Sequence, residues 1–368
     1  MWRVLHLFVD PEADGIAGSW QALEAALRRQ GVISHFAVTP DWQIRLGGLE
    51  APCTLLPKSR SWNVRMYRDW LRVVRQTSPD LVQVWGPRGL SWALASRAWH
   101  RQLPHLLVDD SGLAARGWYR RLLRVADAVV VASESQKRAY VAAAARGTAI
   151  VVIPPTIPPS EPPEDPDIAD VRRRAKLPEA SRLIVTAGPL EPGFGMREAV
   201  WIFDILKYTD PSLWFVVVGD GSLRRWLEDF ARSLGREDVR VRFVGWQTDI
   251  MAWLRAAEMV WLPGHRGGLG LLRAAAALGV PVVARQRDDL AESLPHSEMV
   301  RFIPAGDKHR WAKVSRELLS RLRPWREFER AEDHLGAAFA ADELMQRWVQ
   351  LYERLGRGGL SRRGSPLT

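Results

Sequence analysis

The 368-residue sequence predicts an α/β protein built from two parallel-sheet domains, and three observations carry that prediction. Short apolar runs rich in β-branched residues alternate with amphipathic helical stretches, the pattern of βαβ units around a buried parallel sheet. The length suits two domains of ordinary size. Between the halves lies Pro154-Pro155-Thr156-Ile157-Pro158-Pro159-Ser160-Glu161-Pro162-Pro163, which can continue neither periodicity and reads as a stiff connector.

In chain order, the first half offers strands near Arg3–Val9, Leu81–Trp85, His105–Val108, Ala128–Ala132 and Ala149–Ile153. Helical spacing runs through Ser19–Arg29 and Val64–Gln76. The second half offers strands near Arg182–Ala187, Leu213–Val218, Val239–Val244, Met259–Leu262 and Val280–Ala284. Helices fit between them at Glu198–Lys207, Leu223–Leu234, Ile250–Ala256 and Leu271–Ala277. After Pro304, Trp311–Leu322 and Asp342–Leu355 have helical spacing. The expected organisation is a first domain over 1–160, a second over 161–335, a helical segment over 336–355 and a disordered tail over 356–368.

Composition narrows the function. Hydrophobic residues make up 47% and charged residues 26%, which excludes disordered and collagenous classes. A single cysteine, Cys53, excludes an internal disulfide and a cysteine-based metal cluster. The net charge of +10 divides evenly, +5 in residues 1–165 and +5 in 166–368, so no basic arm or recognition module points to nucleic acid. Apolar stretches such as Ala126–Ala132 and Leu278–Ala284 fall far short of the roughly 20 residues a membrane span needs. The amino terminus is apolar but too short for a signal peptide and ends on Asp10, so it reads as the first strand of a cytoplasmic protein.

The motifs then fall in a recognisable order. Gly15-Ile16-Ala17-Gly18 precedes a helix and Gln30-Gly31-Val32, Asp80 to Gly86 forms a strand and turn, Ser133-Glu134-Ser135 ends another strand, and Val152-Ile153-Pro154 leaves the first half. The second half carries Val218-Gly219-Asp220-Gly221-Ser222-Leu223, Val244-Gly245 with Asp249, Gly279-Val280-Pro281-Val282-Val283-Ala284, Asp288–Glu292 and Pro304–Asp307. This order resembles the group 1 retaining glycosyltransferases, whose two facing Rossmann-like domains form the GT-B fold. The resemblance implies a nucleotide diphospho-sugar bound mainly to the second domain, an acceptor on the first beside Gly15 and Gly18, and a last helix packed back on the first domain. It implies transfer with retention, the leaving phosphate assisting deprotonation of the acceptor, and requires neither metal nor cofactor.

The donor side chains of that family do not carry over. Its Arg and Lys positions hold Pro189 and Phe194, its two Glu positions Arg266 and Ala274, or Arg273 if the spacing slips by one, and its first-domain histidine position Asp110. A charge-assisted hydrogen bond lost costs about 1.5–3 kcal/mol, so these changes together predict donor binding weakened by several powers of ten unless something replaces them. A replacement is available in Pro263-Gly264-His265-Arg266-Gly267-Gly268-Leu269-Gly270, which runs straight into a helix. Backbone N–H groups and the helix dipole would face a phosphate there, with Gly267, Gly268 and Gly270 permitting close approach. Arg266 would supply a fork of donors, assisted by His265 or Arg197, and Asp110 would contact the transferred sugar or acceptor. The other reading of the same loop is a turn in a retired site, the chain then being a pseudo-glycosyltransferase that serves as a sugar-binding or partner subunit.

Charge also patterns the first domain. Arg65, Arg68, Arg72 and Arg75 share one helical face, and Arg116, Arg120, Arg121 and Arg124 bracket Trp118 and Tyr119. Such basic, aromatic segments suit peripheral contact with an anionic membrane and a glycan or lipid-linked acceptor; a solvated arginine face is the alternative.

Overall fold

The computed structural model describes residues 2–10, 19–46, 51–57, 64–99, 103–108, 119–123, 126–143, 148–155, 168–294, 299–321 and 341–356. The chain divides into two compact units, Met1–Pro158 with Ala341–Thr368, and Pro159–Ala340.

The first unit begins with β1 (Arg3–Phe8), α1 (Ser19–Arg29), β2 (Ile33–Val38), α2 (Pro40–Arg45) and β3 (Cys53–Leu55). It continues with α3 (Val64–Thr77), β4 (Leu81–Trp85), α4 (Leu90–Trp99), β5 (His105–Val108), α5 (Tyr119–Leu122), β6 (Ala128–Val131), α6 (Glu134–Ala143) and β7 (Ala149–Val152). The seven strands are parallel in the order β3-β2-β1-β4-β5-β6-β7. The second unit holds α7 (Ile168–Arg174), β8 (Arg182–Ala187), α8 (Met196–Leu206), β9 (Leu213–Val218), α9 (Arg224–Gly235) and β10 (Val241–Gly245). After these come α10 (Ile250–Ala256), β11 (Met259–Leu262), α11 (Leu269–Ala277), β12 (Val282–Arg285), α12 (Asp288–Ala291), β13 (Val300–Ile303) and α13 (Lys308–Arg321). Its six parallel strands run β10-β9-β8-β11-β12-β13. The last helix, α14 (Ala341–Gly356), returns to the first unit.

Burial on both sheet faces explains the near-continuous apolar strands. On one face of the first sheet, Val4, Phe8, Leu81 and Trp85 meet α1, α2 and α14; on the other, Leu5, Leu7, Val82 and Val84 meet α3 and α4. Gln83 breaks the apolar run of β4 while fully buried, and the Tyr352 hydroxyl of α14 donates to its Oε1. That bond supplies a polar partner where a buried amide would otherwise be costly. In the second unit one guanidinium joins three strand starts: Arg182 of β8 lies 2.6 Å from Asp210, before β9, and 2.6 Å from Glu258, before β11. Lys207, 1% exposed, is held by Asp204 at 2.8 Å and by the Asp238 carbonyl at 2.8 Å.

The two parallel sheets have the α/β class that the sequence predicts. Three strands escape that reading, β2, β3 and β13. Ile33-Ser34-His35-Phe36 mixes polar with apolar residues, Cys53–Leu55 is a three-residue edge strand, and β13 carries Arg301.

Two buried histidines lie in the first sheet. His6 is stacked on Phe36 at 4.7 Å, and burial, helped by the nearby His35, lowers its pKa to about 3. His105 shares its Nε2 with the Ser96 hydroxyl at 2.8 Å, and burial lowers its pKa to about 4. Both rings are neutral in the fold, whereas an unfolded chain protonates histidine near pH 6.5. Their stabilisation is therefore complete above pH 6.5 and is lost as pH falls from there towards 4. Each is expected to remove about 1.4 kcal/mol per pH unit in that window. Denaturant unfolding followed at pH 7, 6 and 5 checks this, and His6→Asn with His105→Asn should flatten the dependence.

Candidate functional site

In open parallel sheets, ligands bind beyond the carboxyl ends of the strands where the direction of the connections reverses. In the second unit that point lies between β8 and β11: the chain moves from β8 outward to β9 and β10, then returns to β11 and proceeds to β12 and β13. The loops there are 188–195 and 263–268, each leading into a helix.

Both helices start in the same way. Gly195 caps α8 and Gly268 caps α11, each in the left-handed region, at φ 73° and 80°, and neither helix has a side-chain cap. Their first amides are thus served by no side-chain cap of the protein, and each helix end carries about half a positive charge. The loops also touch: a Cβ at Gly195 would lie 2.5 Å from the Pro263 carbonyl oxygen. The His265 amide donates to the Gly193 carbonyl at 3.0 Å.

A third loop braces the first. The Leu190 amide donates to Asp220 O at 3.0 Å, and Leu223 donates back to Leu190 O at 2.9 Å. The Glu191 carboxylate accepts from the Ser222 amide at 2.7 Å and from its hydroxyl at 2.5 Å. The Gly219-Asp220-Gly221 segment is accordingly a support for loop 188–195.

The loop residues singled out from sequence gather on one turn. His265 is exposed, Gly267 and Gly268 lead into α11, and Gly270 is buried in its first turn. Arg266 lies 5.2 Å over the Phe194 ring, and its Nη2 donates to the Pro192 carbonyl. It thus spans loops 188–195 and 263–268. Arg197 goes elsewhere: its guanidinium lies 5.9 Å over Trp226 and 5.8 Å over Phe230, on α9. Pro189 and Phe194 are buried, and Phe194 belongs to the core under α8. Asp110, Gly15 and Gly18 lie outside the described residues.

Sequence reasoning missed Arg287 and Asp10. Arg287 donates through Nη1 to Gly264 O at 3.2 Å and Gly267 O at 2.9 Å, while its other nitrogens engage Asp289, so it clamps the turn before α11. The signal was Arg287-x-Asp289 in the loop after β12. Arg273 of α11 is 5% exposed, and burial pushes its pKa down to about 10. In the first unit the reversal lies between β1 and β4. There Asp10, 1% exposed, accepts from the Arg88 amide at 3.1 Å and lies 3.7 Å from its guanidinium.

Two parallel-sheet Rossmann-like units, one with a pair of glycine-capped helices at its reversal point, define the GT-B class of architecture. The sequence model of "Glycosyl transferases group 1" matches residues 181–321, and that of "Glycosyltransferase Family 4" matches 13–161. This chain belongs to the group 1 glycosyltransferase family. It is 34% identical to the glycogen synthase of Mycobacterium tuberculosis over 125 residues, 33% of this chain and 30% of that protein. It is 29% identical to the D-inositol 3-phosphate glycosyltransferase of Streptosporangium roseum over 196 residues, 50% of this chain and 43% of that protein. The matches thus span under half the length of these curated relatives. Anabaena HepE, solved in complex with UDP and glucose, shares the fold with a TM-score of 0.72 at 16% identity, over 96% of this chain and 100% of that one. Among the described residues, no helix is long and apolar enough to cross a membrane.

Contact between the loops is expected to make Gly195→Ala costly. Strain at positive φ and collision with the Pro263 backbone should together remove about 2 kcal/mol or more. Gly279→Ala, at φ 68° with nothing within 4 Å of the new Cβ, should cost about 1 kcal/mol, from strain alone. Urea unfolding of the two variants separates collision from conformational strain.

Proposed function

We propose that this chain transfers a sugar from a nucleotide diphospho-sugar to an acceptor, binding the donor diphosphate at the glycine-capped starts of α8 and α11. The observation that carries this reading is the pair of helix N-termini without side-chain caps, side by side where the second sheet reverses. Backbone donors in such a place favour phosphate oxygens, and the UDP in the HepE structures supports the choice of ligand. Gly267, Gly268 and Gly270 would admit the diphosphate, with His265 and Arg266 beside it.

In the reaction, the bond from the sugar's anomeric carbon to the β-phosphate oxygen breaks, its electron pair staying on the phosphate. A bond from the acceptor oxygen to that carbon forms on the same face, and the acceptor proton passes to the phosphate. Charge grows on the leaving diphosphate, where the helix ends act most strongly. Asp110 is assigned to the sugar or acceptor, and Gly15 and Gly18 to the acceptor side, by their places in the motif order.

A glycan or lipid-linked acceptor at the cytoplasmic face of a membrane fits α3. That helix exposes Arg68, Arg72 and Arg75 while burying Trp70, Val73 and Val74.

One observation favours a second reading, a pseudo-glycosyltransferase that binds sugar or a partner subunit. Pro189 and Phe194 bury apolar atoms at the cation positions, and Arg266 is engaged with Phe194 and Pro192. Calorimetric titration with UDP, GDP, ADP and their sugar conjugates decides between the readings. Micromolar affinity for one nucleotide is expected, and Arg266→Ala should weaken it about tenfold, the value of one charge-assisted hydrogen bond. Donor binding with no turnover, in the presence of sugar and lipid acceptors, would favour the second reading; no binding by folded protein would overturn the first.

A further inference from the structure

We propose that the outer face of the α8–α9–α13 layer is a docking surface for an anionic lipid bilayer, separate from the donor crevice and from α3. The three helices cover one face of the second sheet, with Phe203, Leu227, Trp311 and Leu318 turned into the core. Their outward residues do not follow the usual polar pattern. Arg197, Trp201, Ile205 and Tyr208 are spaced four, four and three apart along α8 and the 3-10 turn after it, one continuous stripe. Trp226 and Phe230 of α9 stack on each other at 5.2 Å. Trp226 is 48% exposed, Tyr208 73% and Ile205 39%. While Trp42, Trp70, Trp253 and Trp261 are fully buried, these large side chains stand in water on one layer.

Cations accompany the rings. The Arg197 guanidinium covers Trp226 and Phe230, and the Lys308 ammonium lies 3.8 Å over Trp201. Next to α8, helix α13 exposes Arg310, Lys313, Arg316 and Arg321, none of them in an ion pair among the described residues. The acids of α8 and α9 are occupied: Glu198 with Arg285 at 3.9 Å, Asp204 with Lys207 at 2.8 Å, Glu228 with Arg224 at 2.9 Å, and Asp229 with Arg232 at 2.6 Å; on α13 the one acid, Glu317, stands against five Lys and Arg. The face therefore keeps a positive surplus beside exposed aromatic rings.

Charge complementarity selects the occupant. Tryptophan and tyrosine favour the level of lipid headgroups, where the ring is apolar and its polar edge stays wet, and arginine and lysine meet anionic headgroups there. A solvated basic helix accounts for α13 alone, but not for the aromatic stripe beside it.

The test is sedimentation of the full chain with vesicles of phosphatidylcholine alone, or with 30% phosphatidylglycerol, and a parallel titration with oligothymidylate. Binding to the anionic vesicles is expected, with little to the neutral ones. Lys313→Glu with Arg316→Glu should weaken it at least about thirtyfold, since each basic residue near the surface contributes roughly a fivefold to tenfold gain. Trp226→Ser should weaken it about tenfold, by removing a large apolar surface. Arg68→Glu with Arg72→Glu should leave this dependence on α13 and Trp226 in place. Circular dichroism and nucleotide affinity verify that the variants remain folded and that the donor crevice is untouched. Absence of binding to anionic vesicles, indifference to the α13 and Trp226 changes, or loss only on changing α3 would overturn the proposal. So would oligothymidylate binding that depends on these same residues, which would make the face a nucleic-acid surface.

Discussion

The crevice of the second unit depends on two main chains touching, at Gly195 and Pro263. Side chains at that point would push loops 188–195 and 263–268 apart, and with them the starts of α8 and α11. Everything around the contact reinforces it. Arg266 reaches from the second loop to Pro192 and Phe194 of the first, Arg287 grips Gly264 and Gly267 from beneath, and Glu191 ties the first loop to Ser222. At the other end of the sheet, Arg182 pins the starts of β8, β9 and β11, so the strands that carry the loops share one register. A rigid frame with close backbone contacts suits a site made mainly of main-chain donors, since their positions are fixed before any ligand arrives.

Much of this was legible in the sequence, and the limit has a physical cause. Parallel strands in a buried sheet announce themselves as short apolar runs, so β1 and β4 to β12 stand out from local composition alone. β13 hides because Arg301 interrupts it, and β2 because Ser34 and His35 do. The glycine run at 267–270 points to a loop feeding a helix, which is where the chain places it. What Arg266 does could not be read in the same way. Its partners, Pro192 and Phe194, are more than seventy residues away, and only the pairing of β8 with β11 brings the loops together. Arg197 shows the same limit: its position at the start of α8 suggests the crevice, yet the rings of Trp226 and Phe230 take its side chain.

The first unit was built around a different problem, the return of the chain through α14. A helix arriving from residue 341 must bury an apolar stripe, and Leu344, Trp348, Leu351 and Leu355 supply it against β1, β2 and β4. Gln83 then gives that docking a direction: of the buried positions on β4 it is the one with an amide, and Tyr352 is the residue that meets it. Apolar packing alone tolerates sliding by a fraction of a turn, whereas a buried hydrogen bond in the wrong register leaves two polar groups unsatisfied. The pair therefore contributes more to the placement of α14 than to its gross affinity.

Replacing side-chain cations by backbone donors changes how a diphosphate site behaves. Two helix ends bring about one unit of positive charge in total, half of what an arginine and a lysine would bring, so attraction at a distance is weaker. Contact is another matter, because amide donors fixed by the fold lose little conformational entropy on binding, while two long cationic side chains lose much of theirs. Affinity in such a site resides in loop geometry and is shared over several amides, so no single side chain dominates it. Pro189 and Phe194, both buried, stiffen the loop that leads into α8. In the proposed site, apolar residues at these places bring no charge to the crevice and add to its rigidity, so the fixed amides act alone on the ligand.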